Sequence, residues 1–181
     1  MRDIIEAVLL DDEFSTILIP VSDQTLEQLV VAATTDATAD EVTPPLTPGG
    51  EWTSERIEWL RHYHRSNSAG PNGATGESTW AVVASGVVCG SARLKANDEK
   101  GVFETGIWLT QTARGRGVAR AAMAGIIEKA AERGAREVIA DTAAGNLAAQ
   151  RLLDHLGFQL SPSTETGRVE AKLELTSPTI V

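Results

Sequence analysis

Arg114-Gly115-Arg116-Gly117-Val118-Ala119-Arg120 is the stretch that decides how this chain folds. Before it, Val102-Phe103-Glu104-Thr105-Gly106-Ile107-Trp108-Leu109 reads as a strand. After it the period changes to 3.6: Val118, Ala119, Ala122, Met123, Ile126, Ile127 and Ala130 fall on one helical stripe. Arg133 in the last turn and Gly134 just beyond it mark the helix end. The stretch is therefore a strand-to-helix turn with a helix N-terminus at its exit. Such an end carries unpaired N–H groups and about half a positive charge, a natural seat for phosphate. Gly115 and Gly117 let the backbone bend tightly and approach a ligand. Arg114, Arg116 and Arg120 surround the turn with forked donors and no acid among them.

Other phosphate motifs fit poorly. A P-loop requires Gly-Lys followed by Ser or Thr, and no such run is present. A dinucleotide fingerprint requires a small residue where Arg120 stands, an early strand, and a ribose-binding acid nearer than Asp141.

Working outward, Thr16-Ile17-Leu18-Ile19-Pro20 is a short strand stopped by proline, and Ser22 caps a helix carrying Leu26, Leu29 and Val30. Residues 36–51 hold Pro44, Pro45, Pro48, Gly49 and Gly50 and read as a loop. Thr53 or Ser54 caps a second helix with Ile57, Leu60 and Tyr63 near one face, and residues 66–78 form another loop. Strands 80–83 and 87–94 flank the hairpin turn Ser85-Gly86 and lead through 97–101 into strand 102–109, an antiparallel meander. Past the 118–133 helix come a short strand at Val138-Ile139-Ala140, a helix capped by Asn146 that ends at Gly157, and terminal strands at 158–160 and 169–175. The expectation is one α/β (α+β) domain over residues 1–181.

Composition agrees with a globular chain and narrows its partners. Of 181 residues 42% are hydrophobic, and no apolar run approaches the roughly 18 residues that span a bilayer. The start Met1-Arg2-Asp3-Ile4-Ile5-Glu6 carries acids where a targeting peptide wants bases, and Cys89 is the lone cysteine. Both features suggest the cytoplasm. A net charge of -9 argues against nucleic acid. The charge is uneven: residues 1–60 hold thirteen acids and two bases, leaving twelve acids against fourteen bases in the remainder. An acidic front suits a cationic acceptor and a basic back suits an anionic cofactor, although the same acids also serve solubility. The three histidines lack metal-ligand spacing, so no metal is expected.

The turn and a second element together resemble the GCN5-related N-acetyltransferases. Their pyrophosphate motif is Gln/Arg-x-x-Gly-x-Gly/Ala, which residues 114–119 match at every fixed position. A later element, an Asn with a small residue three on and a closing Gly-Phe, is matched by Asn146, Ala149, Gly157 and Phe158. Glu104 to Leu109 is similar to the RimJ/RimL-type branch, which acetylates ribosomal-protein N-termini. The resemblance covers about residues 100–160. It implies a mostly antiparallel mixed sheet with about four helices and a splayed cofactor cleft, and a family in which homodimers are common.

It also implies roles. Backbone groups of Arg116, Gly117, Val118, Ala119 and Arg120 would bind the pyrophosphate of acetyl-CoA, with Arg114 and Gly115 also counted among the cofactor-binding residues. The backbone near Leu109 and Thr110 would pair with the pantetheine arm, and Asn146, beside Ala149, would hydrogen-bond it. Asn146 serves equally as a simple helix cap. Leu153 stands where many members carry a Tyr acid, as is usual in the RimL-like branch, and His155 falls on another helix face. Glu104 is the leading general base for a primary amine acceptor, whether protein N-terminus or small molecule; an outward strand carboxylate is its plainer reading. Asp36, Asp40 and Glu41 are candidates for a cationic acceptor, and Trp52, Trp59, His62 and His64 for the acceptor wall, although ordinary helix packing and solvation account for these last four at least as well. A non-catalytic CoA-binding sensor is the alternative.

Overall fold

The structure is a computed structural model that describes residues 15–175; the acidic start at residues 1–6 lies outside them. Seven strands form one sheet: β1 (Thr16–Pro20), β2 (Glu77–Ala84), β3 (Val87–Ala96), β4 (Val102–Leu109), β5 (Glu137–Ala143), β6 (Gln159–Pro162) and β7 (Arg168–Glu174). Their order is β1-β2-β3-β4-β5-β7-β6, so β7 lies between β5 and β6. All neighbours are antiparallel except β4 and β5. This parallel step is built by the helix that follows the glycine turn.

Five α-helices cover the two faces: α1 (Asp23–Asp36), α2 (Ala39–Val42), α3 (Ser54–Ser66), α4 (Val118–Glu132) and α5 (Leu147–His155). The 3.6-period stripe of α4 packs where its spacing puts it. Val118, Ala122, Met123, Ile126 and Ala130 are buried with Trp80, Val82, Leu94, Val138 and Leu153 in the main core. On the opposite face α1 and α3 build a smaller cluster from Leu26, Val30, Ala33 and Leu60, against which Trp108 packs. Alternation along β4 separates the layers. Thr105 and Leu109 look toward α4, while Glu104, Gly106 and Trp108 look toward α1 and α3.

The sheet forks between β4 and β5. Their ladder holds only Val102↔Glu137, Phe103↔Val138 and Glu104↔Ile139. β4 then continues on β3 as far as Leu109, and β5 continues on β7 as far as Ala143. The cleft between the two strands opens at Glu104 and points at the glycine turn.

Two loop expectations are corrected. Residues 36–51 contain helix α2, closed by a capping box in which Glu41 reaches back to the Thr38 N–H at 3.1 Å. The buried face of α3 is Arg56, Leu60 and His64, with Ile57 and Tyr63 half-buried. Arg56 is fully buried because every donor direction has an acceptor: Asp40 Oδ1 at 2.7 Å, Thr47 Oγ1 at 3.0 Å, and the Thr47 and Gly49 carbonyls at 2.9 Å. A helix-period reading of apolar residues alone passes over such an arginine. The 66–78 loop carries one 3-10 turn, Gly70–Asn72, and its last two residues already belong to β2.

Candidate active site

The cofactor turn begins where β4 ends. Thr110 donates its N–H to the Cys89 carbonyl across the β3–β4 ladder at 2.9 Å. The carbonyl of the same peptide, that of Leu109, therefore points the other way, into the fork. Arg114 closes on it with two donors, Nε at 3.1 Å and Nη2 at 2.9 Å, and its third contact is Nη1 to Glu41 Oε1 at 2.8 Å. The side chain of Arg114 is thus committed to holding the turn. The Leu109 N–H faces the fork beside that carbonyl.

Gly115 and Gly117 sit at φ 71° and 82°, left-handed conformations that a side chain strains. A Cβ on either would meet no atom within 4 Å, so the backbone at both is open on the ligand side. Gly117 is the N-cap of α4, and no side chain caps that end. The first-turn N–H groups of Val118, Ala119 and Arg120 are left without a helical partner. Arg116 and Arg120 are exposed, with no ion pair or hydrogen bond among the described residues. Uncapped donors, the helix dipole and two free guanidinium groups fit the pyrophosphate of coenzyme A. Across the fork, Asn146 caps α5 by accepting from the Ala149 N–H at 3.1 Å; Asn146 is exposed and Ala149 half-buried.

The acids proposed from sequence are largely engaged. Asp36 Oδ2 accepts from Thr112 N–H at 3.0 Å and from its hydroxyl, which together lower its carboxyl from the usual value. Glu41 is held at a pKa of about 2, chiefly by Arg114, against some burial and with help from Thr38. Asp40 serves Arg56. Trp52 donates to the Ala37 carbonyl at 2.8 Å and packs on the smaller core. The Asp36–Thr112 and Glu41–Arg114 contacts fasten the 36–51 loop to the glycine turn; only Glu41 among the four also lines the cleft beside it.

That cleft, about 320 Å³, lies between α3 and the β3–β4 pair on the face opposite α4. Trp59, Tyr63 and Trp108 form aromatic walls, and Glu77 and Arg93 lie in its lining. Trp59 and Tyr63 stack with centroids 5.1 Å apart. Glu104 borders the cleft through its ion pair with Arg93. His64 lies outside it, buried, its Nδ1 3.1 Å from Thr79 Oγ1, and burial lowers its pKa to about 4. His62 is exposed. On α5, Leu153 is buried in the main core and His155 is exposed, donating Nδ1–H to the Arg151 carbonyl at 2.6 Å. Neither offers a proton to the fork.

Sequence reasoning passed over Tyr63, Glu77, Arg93 and Gly90. At Gly90 a Cβ would stand 2.2 Å from the Trp108 carbonyl oxygen, so only glycine lets β3 approach the end of β4. The signal for Arg93 was its charge inside the 87–94 strand; Glu77, read as part of the 66–78 loop, carried none.

The family model described as the acetyltransferase (GNAT) domain matches residues 16–159. The chain belongs to this family. No curated protein matches it in sequence. Among solved structures, the GNAT domain of S. lividans PAT superposes with a TM-score of 0.68 at 17% identity, covering 91% of this chain and 98% of that one. RimL, a ribosomal L7/L12 alpha-N-protein acetyltransferase solved with coenzyme A, gives 0.67 at 13% identity over 89% and 94%. A ribosomal-protein-alanine N-acetyltransferase from Brucella melitensis gives 0.61 at 21% identity over 88% and 99%. At these identities the likeness shows the shared GNAT fold. Among the described residues, no helix of this GNAT chain is long and apolar enough to cross a membrane.

Proposed function

We propose that this chain transfers an acetyl group from acetyl-CoA to a primary amine by direct attack. The observation that carries the reading is the turn at Gly117: an uncapped helix N-terminus with open backbone and free arginines, aimed at the fork between β4 and β5. Acetyl-CoA, when bound, supplies an activated thioester whose carbonyl an amine nitrogen can attack, the C–N bond forming as the C–S bond breaks. The protein's share is to bind, orient and move protons. The Leu109 N–H, directed into the fork, suits the developing oxyanion. Asn146 and the fork edge of β4 suit the pantetheine arm.

Glu104 is the proton acceptor for the attacking amine. It stands at the last rung of the β4–β5 ladder, on the face that carries the cleft. Leaving-thiolate protonation falls to water, because Leu153 has no proton to give. The aromatic walls and carboxylates of the cleft favour a cationic amine over an anionic one. A protein N-terminus, as in the RimL-like branch, and a small amine both answer that description. The lone, buried Cys89 suits a reducing cytoplasmic setting.

The test is thiol release from acetyl-CoA against a panel of amines and N-terminal peptides, with acetylated product identified by mass. Turnover with at least one amine, lowered about 100-fold or more in Glu104→Gln, supports the reading. Tight CoA binding with no turnover on any acceptor would instead mark a sensor module.

A further inference from the structure

Glu104 is the end of a chain of contacts that crosses the sheet. The registers Glu77↔Lys95↔Glu104 and Thr79↔Arg93↔Gly106 put Glu77, Arg93, Glu104 and Gly106 on the cleft face. Arg93 reaches diagonally between these rows: Nη2 donates to Glu104 Oε1, and Nη1 lies 3.7 Å from Glu77 Oε1. Tyr63 donates its hydroxyl to the same Glu77 oxygen. Burial, then that carboxylate, raises the phenol far above its ordinary range, so Tyr63 stays a donor. The stacked pair Trp59–Tyr63 anchors this chain on α3. Gly106 completes it from below. A Cβ there would stand 3.0 Å from Arg93 Nε, so a side chain at 106 would push the arginine a few tenths of an ångström off its present position over β4.

We propose that Arg93 is a positioning residue that acts on acetyl transfer through Glu104, with Gly106, Glu77 and Tyr63 holding its guanidinium in place. The inference rests on the reading of Glu104 as proton acceptor. A glutamate on a strand has several staggered rotamers, and only some carry its carboxylate to the fork. The bond to Oε1 selects among them and leaves Oε2 for the amine proton. Glu77 and Tyr63 keep Arg93 from swinging away, since an arginine with one partner turns freely about its long stem.

The test is a double-mutant cycle in kcat, read by thiol release with acetyl-CoA and the best amine of the panel. Arg93→Gln lowers kcat about tenfold or more while KM for acetyl-CoA changes less than about threefold. In the Glu104→Gln background the same change has no further effect beyond about twofold, because its target is gone. Gly106→Ala keeps every charge and displaces only the guanidinium; it slows the wild-type background and not Glu104→Gln. It also decides the matter should Arg93→Gln fail to fold, which melting monitors. Losses that multiply in the double variant, or a wild-type kcat in both Arg93→Gln and Gly106→Ala, overturn the inference while leaving Glu104 as the base. A wild-type rate in Glu104→Gln, or no turnover with any amine, overturns that reading and the inference with it.

Discussion

Arg114 and Glu41 join the glycine turn to the cleft: Arg114 Nη1 lies 2.8 Å from Glu41 Oε1 on α2, in the loop that borders the cleft beneath α3. Because the same guanidinium grips the Leu109 carbonyl, the pair ties loop, turn and strand end together. The carboxyl of Glu41 is held at about 2, below its ordinary value, so its stabilisation is full above roughly pH 4.5 and is lost as pH falls toward 2. With 38% of the side chain exposed, solvent screening reduces the expected contribution to about 1 kcal/mol. Urea denaturation of wild type and Glu41→Gln should differ by that amount at pH 7 and converge near pH 2. Equal stabilities at pH 7 would show the pair to be ornamental.

Among the described residues Arg116 and Arg120 have no partner to lose, so their replacement tests binding apart from folding. Arg116→Ala and Arg120→Ala should each weaken CoA binding by about 1 kcal/mol, and less at high salt, since exposed charges are screened. Melting temperatures should stay within a degree or two of wild type. Calorimetric titration of CoA at low and high ionic strength measures both effects.

His64 makes an independent prediction about acid. Burial depresses its pKa to about 4, so the folded state disfavours the protonated ring that the unfolded chain accepts near 6.5. The stability this represents is complete above about pH 6.5 and is lost as pH falls toward 4, an effect of roughly 3 kcal/mol. A variant without a titrating ring, His64→Gln, should show a flatter loss of stability between those values. Parallel curves for the two proteins would contradict the assignment.

The helical half of the fold was legible because its signals are local. The α4 stripe, the Ser22 and Asn146 caps and the glycine ends at 134 and 157 each lie within a few residues of what they govern. The acceptor cleft was not legible, and one residue explains much of the reason. Counting outward from the Ser85-Gly86 turn pairs Ala84 with Val87 and Val83 with Val88, which carried on would set Arg93 opposite Ser78. Cys89 is instead an extra residue in β3, so Val82 meets Gly90 and every later pair shifts by one. That shift turns Arg93 and Glu77 onto one face. Gly90, a glycine inside the strand beside Cys89, is the local mark of that bulge, and simple strand alternation does not count it. Asp36, Glu41 and Trp52 stood out in the sequence, but their partners Thr112, Arg114 and Ala37 are supplied by tertiary contact and did not.

If the open backbone at Gly117 seats the anionic end of coenzyme A, calorimetric titration of CoA into Gly117→Trp must show it. Gly134, at the other end of α4, is the matched control: its φ of 76° resembles the 82° of Gly117, and neither would bring a Cβ within 4 Å of another atom. Substitution at either position carries a similar backbone strain of about 1–2 kcal/mol. The expected result is a CoA affinity reduced at least about 100-fold in Gly117→Trp and within about threefold of wild type in Gly134→Trp. Unchanged CoA affinity in folded Gly117→Trp would contradict the cofactor assignment, and with it the proposed acetyl transfer.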